Sequence, residues 1–97
     1  MTRLSDDEVR AALAEGLTGW DLEGDGITKE FAFSGFRPAI DFIDRVAERA
    51  QAARHHPELH NVFNRVTVTL TTHDEGGVTE KDIDLARAIE AVADLEV

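Results

Sequence analysis

Along this chain the spacing of apolar residues switches between a period near 3.6 and a period of 2, and the switch points set the order of its elements. Val9, Ala12, Leu13 and Leu17 recur helically behind Ser5 and Glu8, which have capping-box spacing. This predicts a first helix from about Asp6 to Glu15, closed by Gly16. Trp20 to Glu23 and Ile27 to Phe33 flank a Gly24-Asp25-Gly26 turn and read as a β-hairpin. After Ser34-Gly35 the period lengthens, and Phe36, Ile40, Ile43, Ala47 and Ala50 form an amphipathic stripe. Pro38 falls in the first turn of that helix, where its missing N–H costs nothing. The helix should run to about Arg54 and stop before Pro57.

From Val62 to Thr72 the period shortens again. Val66, Val68 and Leu70 alternate with Thr67, Thr69 and Thr71, giving a strand with one buried and one wetter face. Asn64-Arg65 marks either a bulge or a turn that divides this segment in two. Gly76-Gly77 makes a loop, Thr79 with Asp82 has the form of a helix cap, and Ile83, Ala86, Ile89, Val92 and Ala93 define a third helix. The order α-β-β-α-β-β-α joins its paired strands by hairpins. It predicts an α+β fold, with a four-stranded, largely antiparallel sheet and three helices on one face. No linker, repeat or low-complexity tract divides residues 1–97, so a single domain is expected.

Charge and composition narrow the partners. Twenty acidic residues against ten basic ones give a net charge of −10, which repels phosphate backbones and argues against direct nucleic-acid binding. No apolar run approaches the ~20 residues of a membrane span, and the first residues hold no apolar signal region. There is no cysteine, which removes disulfides, thiolate metal sites and a cysteine nucleophile from consideration. A soluble, cytoplasmic protein is the expectation.

The residues best suited to chemistry are histidines. His55, His56 and His60 fall in one short run just beyond a helix end, and His73 stands where the chain leaves the long strand. Aromatic residues Trp20, Phe31, Phe33 and Phe36 read as core, and Arg45 and Arg49 as a solvated helix face. Three readings of the histidines compete. Metal ligation would draw on Glu58, Asp74 and Glu75, but adjacent His55 and His56 point apart and no HExxH spacing supports it. A structural reading makes them exposed loop residues, one of them capping a helix C-terminus. Acid–base catalysis uses an imidazole that gains and loses protons near neutrality. Spacing alone leaves the last two readings level.

A resemblance separates them. His55-His56-Pro57-Glu58, Asn61 to Val66 and Thr67 to His73 resemble the signature of the pterin-4a-carbinolamine dehydratase family, and Gly77 to Ala86 resembles its closing segment. Trp20, Phe31, Phe33 and Phe36 also match its aromatic hairpin and the start of its long helix, so the similarity covers nearly the whole chain.

The resemblance implies removal of water from a 4a-hydroxytetrahydropterin to give quinonoid dihydropterin in tetrahydrobiopterin recycling. Neither a metal nor an organic cofactor is implied. Carried over residue by residue, the acid–base set is His55, His56 and His73. His55 and His73 would lie near the 4a-hydroxyl, with His56 orienting the pterin. Gln51, Pro57 and Lys81 fall at substrate-binding positions. The chain departs from the family where Gln51 replaces the usual Glu, Arg54 a frequent Asp or Gly, Leu59 the Trp of animal members and Lys81 a common Arg. The resemblance also implies a homo-oligomer, dimer or tetramer. It brings a rival from another class: a non-catalytic assembly or dimerisation-cofactor protein on the same scaffold.

Overall fold

The computed structural model describes residues 2–94. Three helices, α1 (Asp6–Leu13), α2 (Phe36–Ala53) and α3 (Glu80–Ala93), pack on a sheet of four strands. The strands are β1 (Asp21–Glu23), β2 (Gly26–Ala32), β3 (Glu58–Val62) and β4 (Arg65–Leu70), and a 3-10 turn covers His73–Glu75. The sheet order is β1-β2-β4-β3 with every neighbour antiparallel, the α+β architecture expected from the hairpin connections.

Register sorts the sheet into two faces. Ile27 lies opposite Leu70 and Phe31 opposite Val66, and all four are buried with Val68 against the helices. Thr28 and Thr69, opposite one another, exchange a hydroxyl contact of 3.2 Å on the open face. Phe42 of α2 is the largest fully buried side chain, and its ring centroid lies 4.9 Å from those of Phe31 and Phe33. Trp20 meets Phe31 edge-on and donates its indole N–H to Glu90 at 2.9 Å. Glu90 also pairs with Lys29, whose ammonium reaches the Thr18 carbonyl and stands 4.7 Å above the Phe31 ring. A half-buried edge of the core thus contains a charge pair with its hydrogen-bonding partners in place.

Four expectations need correction. The first helix ends at Leu13 rather than Glu15, because the Glu15 N–H bonds the Ala12 carbonyl in a tighter i→i−3 turn at 3.1 Å and Gly16 takes φ 86°. The second strand region starts at Glu58, not Val62. β3 is an exposed edge strand with no buried residue, so it shows no alternation, and its pairing with β4 defines it. The division falls at Phe63-Asn64, a two-residue turn with Phe63 at φ 51°. Asn64 secures it, accepting the Phe33 N–H at 2.8 Å and donating its amide to the Phe33 carbonyl at 3.0 Å.

The third and fourth corrections concern α2. Its buried line is Ala39, Phe42, Val46 and Ala50. The line Phe36, Ile40, Ile43 and Ala47 lies beside it, and Phe36 is 49% exposed rather than core. Both lines have helical spacing, so periodicity cannot choose between them. Burial of Phe42 among Phe31 and Phe33 decides it. No helix among the described residues is long and apolar enough to cross a membrane.

Candidate active site

Two helix ends and a strand end meet at one corner of the molecule. Arg54 closes α2 in the left-handed region (φ 54°), with its N–H directed to the Ala50 and Gln51 carbonyls, and His55 N–H returns to Ala50 at 3.1 Å. This closure bends the chain sharply, so that His55 turns inward and His56 outward before Pro57 leads into β3. From the other side β4 delivers Thr71 and Thr72. Thr72 bridges to Gly77 through paired backbone hydrogen bonds, which pinches off the His73–Glu75 turn and fixes His73 at its start.

Asp82 binds these pieces together. Thr79 and Asp82 form the capping box of α3, with the Thr79 N–H donating to Oδ2 at 2.9 Å. The same oxygen accepts the Thr72 hydroxyl at 2.9 Å. That assignment uses the Thr72 proton, so Thr79 donates its own hydroxyl proton to Thr72 across 2.9 Å. The other carboxylate oxygen, Oδ1, meets His55 Nε2 at 2.5 Å. Asp82 is fully buried and the His55 side chain is only 12% exposed. Three donors and the positive end of α3 compensate for burying this carboxylate. Among the described residues, no buried side-chain nitrogen or oxygen lacks a hydrogen-bond partner. An ionised Asp82 is acceptor-only, so Nε2 of His55 is the donor and Nδ1 is the nitrogen left to exchange protons.

Above this network is a cleft of about 300 Å³ lined by His55, His56, His73, Arg54, Lys81 and Asp74, with Thr71 and Thr72 at its floor. The structure therefore brings three of the four histidines and Lys81 to one place. Gln51 lies at the rim, its Oε1 3.3 Å from His56 Nε2, and Pro57 lies outside the lining as the spacer between the histidine pair and β3. His60 goes elsewhere: it is on β3, opposite Thr67. Among the described residues no group of three His, Asp or Glu side chains is placed to hold a metal ion.

Sequence reasoning assigned Asp82 to a helix cap alone and missed its contact with His55. A signal was present. Asp82 falls one turn before Ala86, in line with the buried Ala86 and Ile89, so the apolar face of α3 opens with a carboxylate. A charged residue on such a face calls for a buried partner.

Comparison with known proteins shows the family. The model of the family described as pterin 4 alpha carbinolamine dehydratase matches residues 2–92. A protein of Thermomicrobium roseum is 46% identical over 93 residues, covering 96% of this chain and 99% of its own. One from Mycobacteroides abscessus is 44% identical over 90 residues, covering 93% of this chain and 95% of its own. Both bear the name "putative pterin-4-alpha-carbinolamine dehydratase". A crystal structure from Brucella melitensis, described as a transcriptional coactivator/pterin dehydratase, superimposes with a TM-score of 0.89 at 45% identity. It covers 95% of this chain and 99% of that one. A pterin dehydratase-like protein described as a RuBisCO assembly factor shares the fold at a TM-score of 0.65 and 21% identity, over 76% of this chain and 86% of its own. The chain belongs to the pterin 4 alpha carbinolamine dehydratase family.

Proposed function

We propose that the protein catalyses the dehydration of 4a-hydroxytetrahydropterins by histidine acid–base chemistry, in tetrahydrobiopterin recycling within the cytoplasm. The observation that carries this reading is the convergence of His55, His56 and His73 on one cleft, with His55 backed by the buried Asp82.

In the reaction the C4a–O bond breaks, the lone pair on N5 forms the C4a=N5 bond, and the N5 proton departs. A protonated imidazole converts the leaving hydroxide into water, and a neutral imidazole accepts the N5 proton. Each proton transfer of this kind contributes roughly 10²–10⁴-fold. His55 and His73, which both line the cleft, carry the two transfers. Asp82 steadies the His55 imidazolium and fixes its tautomer. His56, held by Gln51, orients the ring, and Lys81 and Arg54 present N–H donors to the pyrimidinone carbonyl. The pterin's own nitrogen lone pair drives the elimination, so the residues need only position the ring and move protons.

The double variant H55A/H73A tests this reading. It should bind an unreactive 7,8-dihydropterin with nearly native affinity while the dehydration rate falls to the spontaneous value. Native turnover in that variant would refute the reading.

The second reading, an assembly or dimerisation-cofactor protein, draws on the half-exposed apolar line Phe36, Ile40 and Ile43 on α2 and on the carboxylate lost at Gln51. A stoichiometric partner recovered from the native lysate, together with dehydration no faster than spontaneous, would favour it. In both readings the chain forms a homo-oligomer through that line and the unpaired edge of β3.

A further inference from the structure

Two helices in this chain open with the same device and differ in what surrounds it. Ser5 and Glu8 cap α1 at the surface, and their exchange of hydrogen bonds ends there. Thr79 and Asp82 cap α3 in full burial, and each carries a further bond to another element. We propose that Thr79 is a positioning residue for His55 and His73, its hydroxyl proton holding Thr72 in place and, through Thr72, the Asp82 carboxylate against His55. The inference rests on the dehydratase reading of the cleft and adds to it a residue that lies outside the cleft lining.

Capping uses only the acceptor side of a hydroxyl. The Thr79 oxygen accepts the Lys81 N–H at 3.2 Å, which serves the helix end and leaves the hydroxyl proton to be placed. Thr72 is the acceptor within reach. Because Asp82 Oδ2 takes the Thr72 proton, the Thr72 oxygen receives that of Thr79 across 2.9 Å. The donors then run one way, from the Lys81 N–H through Thr79 and Thr72 to Oδ2. Oδ1 of the same carboxylate meets the ring of His55.

Both ends of this run are at the cleft. Lys81, His55 and Thr72 line it, and the residue after Thr72 is His73. Thr72 is also the residue whose backbone pairs with Gly77 and pinches off the turn that holds His73. Thr79 itself is fully buried, so it acts through its neighbours. Without its proton the Thr72 oxygen is left unmatched in a buried site, and the Thr72 hydroxyl is free to turn away from Oδ2. The carboxylate then loses one of the bonds that fix its plane, and His55 loses a fixed acceptor. A cap alone asks for none of this, since glycine serves a helix N-terminus nearly as well as threonine.

Variants at position 79 separate positioning from capping. T79S keeps the cap and the proton, T79G keeps most of the cap without the proton, and T79V keeps the shape without either. Each is read by kcat against KM for dehydration, and by solvent exchange of the His55 Nε2 proton, followed by proton NMR. In T79G and T79V kcat should fall about tenfold while KM stays within about twofold of native, and the ring proton should exchange about tenfold faster. T79S should match the native protein within about twofold in every readout. S5A, which loses a comparable cap on α1, should leave both readouts unchanged, so that lowered stability is not the cause. Native kcat and native exchange in T79G would overturn the inference, as would losses in S5A equal to those in T79V. No acceleration by the native protein would instead overturn the dehydratase reading, and exchange of the ring proton would still decide the role of Thr79.

Discussion

Asp82 joins a helix cap, a strand end and a histidine ring, so its replacement reaches all three. In D82N the shape is kept, but the carboxylate that accepts from Thr79, Thr72 and His55 becomes an amide with a single acceptor atom. Losing one buried acceptor costs about 1–3 kcal/mol. For a domain of this size that lowers Tm by roughly 4–8 °C per kcal/mol. Thermal unfolding should show the drop, and the dehydration rate should fall in D82N even at temperatures where the fold is intact. A native rate there would remove Asp82 from the account. Gln51 offers a second residue-scale test. Its neutral amide contacts His56 at 3.3 Å, whereas a carboxylate at that position favours the imidazolium. In Q51E a charge-assisted contact should hold His56 more firmly, and affinity for an unreactive 7,8-dihydropterin should rise; an unchanged affinity would remove position 51 from the site. The histidines were legible because their density was unusual and their spacing specific. Asp82 was not, because a capping-box carboxylate has a sufficient local explanation, and its second role exists only once α2 and α3 meet.

At the scale of elements, caps and turns govern local stability. Ser5 accepts the Glu8 N–H at 3.1 Å and Glu8 accepts the Ser5 N–H at 2.8 Å, so S5A should cost about 1 kcal/mol in chemical denaturation. The Ser5 backbone bond, reinforced by the Ser5 hydroxyl, holds the Glu8 carboxyl below its ordinary value of 4.5. A depressed folded value means that its stabilisation is present above pH 4.5 and is lost as pH falls through that lower value. Denaturation of E8Q and native protein compared over pH should therefore show a gap at neutral pH that closes in acid. A gap that widened in acid would contradict the capping box. G26A should be costlier, about 1–3 kcal/mol, because its Cβ would collide with the Leu70 carbonyl. Element order was legible because each change of period coincides with a turn residue or a cap. The start of β3 was not, since an exposed edge strand carries no alternation and its identity lies in its partner β4. The buried face of α2 was equally hidden. Two adjacent apolar lines had the right spacing, and only the position of Phe42 against the aromatic residues of the hairpin chose between them.

At the scale of the whole molecule, an acidic surface surrounds a corner that gathers Arg54, Lys81 and three imidazoles. The proposed oligomer would cover the line Phe36, Ile40 and Ile43, and light scattering of F36D/I40D should report a smaller assembly than that of the native chain. An unchanged mass would place the interface elsewhere. The central claim is that this corner accelerates the loss of water from C4a. Its most direct test is stopped-flow absorbance of 4a-hydroxytetrahydropterin decay, with purified protein, scanned across pH. The account predicts a rate well above the spontaneous one, dependent on groups titrating in the histidine range, and reduced to the spontaneous rate in H55A/H73A. Decay no faster than without protein at every pH would contradict it and leave the histidines to another ligand.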